Sequence, residues 1–259
     1  MGQFRTFMRK RRNMAPRKKD PYFYTAIADS FDALMNPYDV QRRLEIVYDE
    51  LLREELTGKL VLDAGAGTGY FSERANARGA TVVSVDLGVA LLRRVGARAA
   101  SLLAVTDVMA LPFRPGTFDV VVSSEVIEHT TDPQQSVREL GRVLKGGGTL
   151  VLTCPNRAWQ WLVRLASAAG LRPFQGIENF PTFRQLEAFV RAAGLELADH
   201  LGFHPWPFQL RSLWFLSRWC DRKAGRSLLG RVMINQAVRA VKPPVPPASG
   251  LSPGDRVSA

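Results

Sequence analysis

Cysteine is scarce in this chain, since only Cys154 and Cys220 occur among its 259 residues. Two cysteines provide neither a disulfide framework nor a thiolate cluster with the spacing of a zinc site. The sequence also lacks a run of about 18 apolar residues, and no apolar segment of signal-peptide length follows the basic N-terminus. These absences argue against a disulfide-rich exported protein and a membrane-spanning protein, and they favour a cytoplasmic setting.

Positive charge is in excess but unevenly distributed. The formal net charge is +11, yet residues 1–20 hold eight basic residues against one acidic residue, and residues 201–259 hold nine against two. The stretch between them is slightly acidic, so the basic ends suit an anionic surface, either a membrane or a nucleic acid. Residues 1–20 and the proline-rich residues 242–259 lack periodicity and are expected to be disordered, which leaves 21–241 as one domain.

Short apolar runs alternate with helical patterns from Lys59 onward. This alternation predicts an α/β fold, in which a mainly parallel sheet is covered by helices on both faces. Strands are predicted at residues 59–63, 81–86, 101–106, 118–123, 149–153 and 232–241. Helices are predicted at 38–56, 70–78, 89–97, 133–144 and 182–193. Thr182 is predicted to be the N-cap of the last helix, and Gly146, Gly147 and Gly148 are predicted to end the helix at 133–144.

A glycine-rich turn follows the first predicted strand, where Gly65, Gly67 and Gly69 come directly after Asp63. Glycines there let the backbone approach a ligand closely, and the next helix offers free N–H groups at its N-terminus. A dinucleotide fingerprint needs a small residue at position 70, which is a tyrosine here. Asp63 would repel a pyrophosphate but suits a cationic amino group, and Asp86, at the end of the second strand, suits ribose hydroxyls.

The order of these motifs resembles the class I S-adenosylmethionine-dependent methyltransferases, and more narrowly the ubiquinone-biosynthesis O-methyltransferase branch. The resemblance covers about residues 35–200, through the segments 61–71, 83–87, 107–112, 118–133 and 142–156. It implies a Rossmann-like seven-stranded methyltransferase sheet that binds S-adenosyl-L-methionine. By resemblance, the cofactor-binding residues beyond the glycine turn are Arg43 or its neighbour Arg42 for the carboxylate, Leu87 beside Asp86, Asp107 and Val108 for the adenine, and Ser124 for the methionine part.

Two carboxylates and an imidazole lie within five residues after the fourth strand, at Glu125, Glu128 and His129. His129, with Glu128, is a candidate general base for methyl transfer. The similar quinone methyltransferases carry this group as a metal site, which makes Mg²⁺ bound by Glu125, Glu128 and His129 an alternative. The same group of residues also occurs in many class I methyltransferases with unrelated substrates, which leaves a structural role or a place in the lining of the cofactor pocket as a further alternative. The three roles remain open at this point.

The segment 206–230 mixes tryptophan and phenylalanine with arginine, which is typical of an interfacial helix on an anionic membrane; a lid helix over the acceptor pocket is the alternative. Both suit a hydrophobic small-molecule acceptor, such as a quinone precursor or a lipid-like hydroxyl. Other acceptors, for an N- or C-methyltransferase, and a non-catalytic binding module are the competing hypotheses. Nucleic-acid base methylation is disfavoured because no Asn-Pro-Pro-Tyr signature follows the fourth strand. His200 and His204 are interpreted as packing residues.

Overall fold

The computed structural model describes residues 31–168, 176–207 and 210–244. Its centre is a seven-stranded sheet. The strands are β1 (Leu60–Ala64), β2 (Thr81–Asp86), β3 (Ser101–Val105), β4 (Phe118–Ser124), β5 (Leu144–Pro155), β6 (Glu196–Phe203) and β7 (Asn235–Val241). Their order in the sheet is β3-β2-β1-β4-β5-β7-β6, and β7 alone runs antiparallel to the other six strands. The predicted α/β sheet of seven strands is confirmed.

Alternate residues of the central strands belong to the two faces of the sheet. Leu62 and Val121 are buried in one apolar cluster, whereas Val61 and Val120 are buried in the other. Both faces of β1 and β4 are therefore covered, which explains why these strands have nearly continuous apolar sequences. Because β1 and β4 pair in parallel, their carboxyl ends meet at one edge of the sheet.

Helices cover both faces. On the first face, α5 (Pro133–Val143) packs through Val137 and α7 (Phe183–Ala192) through Leu186. On the second face, the π-helical segment Glu45–Leu52 packs through Ile46 and α3 (Tyr70–Asn76) through Phe71. The helices are α1 (Phe31–Leu34), α2 (Pro37–Leu44), continued by the π-helical Glu45–Leu52, α3 (Tyr70–Asn76), α4 (Val89–Arg98), α5 (Pro133–Val143), α6 (Gln160–Ala168), α7 (Phe183–Ala192) and α8 (Trp214–Ala224).

Capping residues set several helix starts. Thr182 caps α7, and its hydroxyl and the side chain of Gln185 form a reciprocal capping box, so the predicted cap is confirmed. The prediction at the end of α5 is wrong, because Gly146, Gly147 and Gly148 lie inside β5. Leu144 already pairs with Phe118, and the glycines span the irregular register before Thr149 pairs with Val120.

The segment 206–230 lies between β6 and β7 and contains α8. None of the helices in the described part of the chain has the length and hydropathy that a bilayer span requires.

The predicted disordered residues 1–20 and nearly all of 242–259 lie outside the described residues. Lys242 is described, and its ammonium group donates to the carbonyls of Gly141, Arg142 and Leu144.

Candidate functional site

A cavity of about 720 Å³ opens at the carboxyl edge of the parallel strands, where ligands bind in open α/β sheets. It lies beside the residues that end β1, β2, β3 and β4. Eleven of the predicted site residues line it: Arg43, Gly65, Gly67, Asp86, Leu87, Asp107, Val108, Ser124, Glu125, Glu128 and His129. Two predicted residues, Asp63 and Gly69, do not line it.

The glycine turn is held against the end of β2 by backbone groups. The N–H of Gly67 donates to one oxygen of Asp86 at 3.0 Å, and the N–H of Gly88 donates to the other at 2.8 Å. Gly65, Gly67 and Gly69 all have left-handed φ values, of 81°, 55° and 91°. Burial raises the pKa of Asp86, although these backbone donors act in the opposite direction.

Asp63 occupies a different position from the one that the sequence predicts. Its carboxylate accepts a hydrogen bond from the hydroxyl of Ser72 at 2.5 Å, and only 2% of the residue is exposed. Burial raises its pKa to about 7; the Ser72 hydrogen bond opposes this shift, and the charge of Asp86 adds to it. Asp63 is therefore paired with Ser72 on α3 and does not line the cavity.

The turn after β3 brings Asp107 and Val108 to the cavity. The N–H of Met109 donates to Asp107 Oδ1 at 2.8 Å, which fixes this side chain against its own turn. Val108 is buried and lines the same wall. A carboxylate acceptor beside an apolar surface can bind the edge and the face of a heteroaromatic ring.

Arg43, on α2, is the one arginine or lysine among the described residues that line the cavity. Its guanidinium donates to Asp39 Oδ2 at 2.7 Å and to the Ser124 hydroxyl at 3.4 Å. Its Nε is buried and has no hydrogen-bond partner among the described residues. The alternative, Arg42, does not line the cavity, because its side chain is directed to Asp221 and Glu50. Arg43 is thus the arginine that is placed to bind an anionic group of a ligand.

The two carboxyl groups after β4 differ, since only that of Glu125 is held by hydrogen bonds from distant parts of the described chain. Glu125 accepts from the Thr153 hydroxyl at 3.0 Å and from the Asn235 amide at 3.1 Å. Glu128 is fully buried, and neither of its carboxyl oxygens has a hydrogen-bond partner in the described part of the chain. Burial, reinforced by the charge of Glu125, raises the pKa of Glu128 well above its ordinary value. Burial at this position thus favours the neutral form of Glu128.

His129 lies next to Glu128 on the short helical turn Ile127–His129. Its Nδ1 is 2.9 Å from the carbonyl oxygen of Ile177, and its Nε2 is 3.7 Å from Glu128 Oε1. A carbonyl can only accept a hydrogen bond, so Nδ1 carries the proton in the neutral ring and Nε2 carries the lone pair. The lone pair that a general base needs is therefore on Nε2.

The expected metal site is not supported by this geometry. The described residues contain no group of three His, Cys, Asp or Glu side chains arranged to hold a metal ion. Both oxygens of Glu125 are engaged by Thr153 and Asn235, and Glu128 lies where burial favours its neutral form. Glu125, Glu128 and His129 are close in sequence, but they do not present converging charged donors for Mg²⁺.

Comparison with known proteins identifies the family. Residues 62–152 match the family described as Methyltransferase domain. The chain is 35% identical over 167 residues to the ubiquinone biosynthesis O-methyltransferase of Pseudomonas paraeruginosa, across 58% of this chain and 70% of that relative. It is 33% identical over 221 residues to the protein of the same name from Xanthomonas euvesicatoria, across 78% of this chain and 82% of the relative. The chain belongs to the class I S-adenosylmethionine-dependent methyltransferases.

Solved structures agree with this assignment at the level of the fold. The S-adenosylmethionine-dependent methyltransferase of Mesorhizobium loti superposes on this methyltransferase with a TM-score of 0.59 and 18% identity, over 78% of this chain and 96% of the other. The predicted Rossmann-like methyltransferase fold is confirmed. The unpartnered Nε of Arg43, the carboxylate of Asp86 and the glycine turn together suit a ligand that carries a carboxylate and ribose hydroxyls, as S-adenosylmethionine does.

Sequence analysis missed several residues of the methyltransferase site. Asp39 lines the cavity and pairs with Arg43, a contact that the i, i+4 spacing of these residues on one helix signals. His204, interpreted as a packing residue, is hydrogen-bonded to Asp39. The carbonyl of Ile177 could not be found from sequence, because a backbone acceptor carries no residue signature.

Proposed function

We propose that this methyltransferase transfers a methyl group from S-adenosylmethionine to a hydroxyl of a hydrophobic small molecule, with His129 as the general base. The acceptor would be a quinone precursor or a similar lipid-like compound. The observation that carries the proposal is that His129 lines the cofactor cavity while the Ile177 carbonyl holds its ring at Nδ1. Glu128 is proposed as the partner of that base.

Different residues of the cavity would bind different parts of the cofactor. Arg43 would bind its carboxylate, Asp86 its ribose hydroxyls, and Asp107 with Val108 its adenine ring. When bound, S-adenosylmethionine supplies an electrophilic methyl group on a sulfonium centre. The protein then has to align the acceptor oxygen with that methyl group and remove the hydroxyl proton.

His129 would accept that proton at Nε2, while the hydrogen bond from Nδ1 to Ile177 holds the ring in place. Glu128 Oε1 lies 3.7 Å from Nε2 of His129, close enough to interact electrostatically with the positive charge that develops on the ring. An imidazolium favours the ionised form of Glu128, which burial alone disfavours. The pair can therefore share the proton that leaves the acceptor.

The acceptor class is inferred from the cavity lining and from the relatives. The lining of the cavity includes the apolar side chains of Leu34, Met35, Val40 and Phe180, which suit an apolar acceptor. The relatives at 33–35% identity are named ubiquinone biosynthesis O-methyltransferases. Together these observations favour O-methylation over N- or C-methylation.

We further propose that the enzyme associates peripherally with anionic membranes, through the surface formed by α8 and the residues that follow it. Phe215 is 86% exposed and Trp219 54% exposed, and Leu228 and Leu229 are exposed beyond them. Arg222 and Lys223 lie in the last turn of the same helix. None of the described residues of α8 lines the cavity, which favours the interfacial role over the lid.

The proposed activity is tested by mass-spectrometric detection of methylated product from purified protein, S-adenosylmethionine and a panel of acceptors. The panel pairs a catechol that bears a short prenyl chain with the same catechol without the chain, and adds an aromatic amine of similar size. We expect methylation of the prenylated catechol to be fastest. Transfer to the amine alone, or to no member of the panel despite cofactor binding, would contradict the proposed acceptor class.

Membrane association is tested by co-sedimentation with phosphatidylcholine vesicles that contain or lack phosphatidylglycerol. We expect binding to the anionic vesicles, weakened by the double substitution Phe215→Ser and Trp219→Ser. Equal sedimentation of this variant and the parent protein would contradict the role of α8.

A further inference from the structure

Arg43 is held in the cavity by a chain of buried polar groups that extends beyond the cavity itself. Asp39 uses its two carboxyl oxygens for two different partners. Oδ2 accepts from the guanidinium of Arg43 at 2.7 Å, and Oδ1 lies 3.1 Å from Nε2 of His204. The other contact of Arg43, to the Ser124 hydroxyl, is long at 3.4 Å. The orientation of the guanidinium therefore depends mainly on Asp39.

His204 is fixed more firmly than an ordinary packing residue. It is fully buried, directly follows β6, and has a left-handed φ of 58°. Such a φ is unfavourable for a residue with a side chain and persists only where the surroundings impose it. The backbone N–H of His204 donates to Asp221 Oδ1 at 2.9 Å, and the second oxygen of Asp221 accepts from Arg42 at 2.9 Å.

The chain of contacts thus links α8, the end of β6 and α2 to one side chain in the cavity. Burial acts to raise the pKa of Asp39, but the charge of Arg43 and the contact with His204 outweigh it and lower the pKa. Asp39 is therefore ionised and paired at both oxygens. A carboxylate that loses one of two fixed partners is free to rotate, and its remaining partner loses its fixed direction.

We propose that Asp39 and His204 are positioning residues that hold the guanidinium of Arg43 toward the carboxylate of S-adenosylmethionine. This inference rests on the proposed function in one respect, namely that Arg43 binds the cofactor carboxylate. His204 does not line the cavity, and its side chain reaches Arg43 through Asp39.

The test compares two ligands by calorimetric titration. S-adenosylhomocysteine carries the amino-acid carboxylate, whereas 5′-methylthioadenosine has the same nucleoside and lacks it. We expect Asp39→Asn and His204→Asn to weaken S-adenosylhomocysteine about tenfold, the effect of one charge-assisted hydrogen bond, and to leave 5′-methylthioadenosine within about twofold. Asparagine tolerates the left-handed φ at position 204 but is too short to reach Asp39.

Three variants serve as controls. His204→Gln places an amide donor near the position of Nε2 and should restore most of the affinity for S-adenosylhomocysteine. His200→Asn removes a half-buried histidine within β6, which stacks on Phe183 and contacts Glu187, outside the cavity, and should not discriminate between the ligands. Arg43→Ala should weaken S-adenosylhomocysteine selectively, at least as much as Asp39→Asn.

The outcomes separate the inference from its premise. Equal weakening of both ligands by Asp39→Asn and His204→Asn would mean a merely structural role and would overturn the inference, as would no change in either. If Arg43→Ala does not discriminate between the ligands, its proposed role and this inference both fail. If Arg43→Ala discriminates but the other two variants do not, only the inference fails. Should thermal unfolding show that His204→Asn is too unstable to titrate, Asp39→Asn carries the same test.

Discussion

The two sides of the cavity are built in different ways. On the glycine side, the contacts are local: Gly65 and Ala66 donate to the carbonyl of Val85, and Gly67 donates to Asp86. On the β4 side, His129 contacts Ile177, 48 residues away, and Glu125 contacts Asn235, 110 residues away. The first side is organised by backbone groups of adjacent strands, whereas the second is organised by side chains whose partners come from distant segments.

The two sides meet at Gly65 and Val126. A Cβ atom added to Gly65 would lie 2.2 Å from Cγ2 of Val126, the residue between Glu125 and the His129 turn. The glycine turn and the proposed catalytic turn are thus in direct contact. Substitutions on either side can therefore separate cofactor binding from catalysis, or damage both at once.

The largest effect is expected on the β4 side, from His129→Asn. Asparagine keeps a donor where Nδ1 meets the Ile177 carbonyl but removes the Nε2 base. We expect kcat to fall by about 10²–10⁴-fold, the usual contribution of general acid–base catalysis, with the affinity for S-adenosylhomocysteine nearly unchanged. Steady-state kinetics and calorimetry measure the two quantities. A loss of binding equal to the loss of turnover would show that both sides of the cavity serve the cofactor.

Asp63→Asn is expected to change the pH dependence of stability. Because the pKa of Asp63 is raised from 3.8 to about 7 on folding, its protonated form stabilises the fold below the lower value, and this stabilisation is lost as the pH rises toward the upper value. The contribution is of order a few kcal/mol. Asparagine mimics the neutral form, so the variant should lose less stability than the parent protein between these pH values. Urea unfolding of both proteins across this pH range measures the difference in stability. Parallel pH profiles of the free energy of unfolding would refute the prediction.

Gly65→Ala tests the contact between the two sides. The added methyl group meets Val126 and requires a left-handed φ of a residue with a side chain, so a loss of roughly 2–4 kcal/mol in stability is expected. The double substitution with Val126→Ala should recover the steric part but not the backbone part. Thermal and urea unfolding of the two variants measure this. Full recovery of the stability lost in Gly65→Ala, or no recovery, would contradict the division of that loss into a steric part and a backbone part.

The smallest effect is expected on the glycine side, from Asp86→Asn. The amide can still accept from one backbone N–H, but it loses the charge that favours hydrogen bonds from ribose hydroxyls. We expect the affinity for S-adenosylmethionine to fall about tenfold, with kcat at saturating cofactor changed little. Asp119→Asn, which alters a carboxylate paired with Lys145 outside the cavity, is the matched control. A larger loss in kcat than in binding would overturn the assignment of Asp86 to the cofactor.

The sequence by itself determined the features that depend on local patterns. Glycines between a strand and a helix, an acidic residue at the end of β2 and alternating apolar runs predicted the sheet, the turn and the place of Asp86. These predictions succeeded because φ preferences, strand periodicity and helix capping act over a few residues. The end of α5 was predicted wrongly because a glycine run is equally compatible with a helix stop and an irregular strand.

Only the tertiary structure decided which way the polar side chains point. Asp63 faces Ser72 and not the cavity, Arg43 and not Arg42 enters it, and the carboxyl groups of Glu125 and Glu128 do not converge on a metal. His204 acquires its contact with Asp39 across 165 residues. The physical reason is that a buried polar group must satisfy its hydrogen bonds or lose its charge, and the partners available to it are supplied by the whole fold.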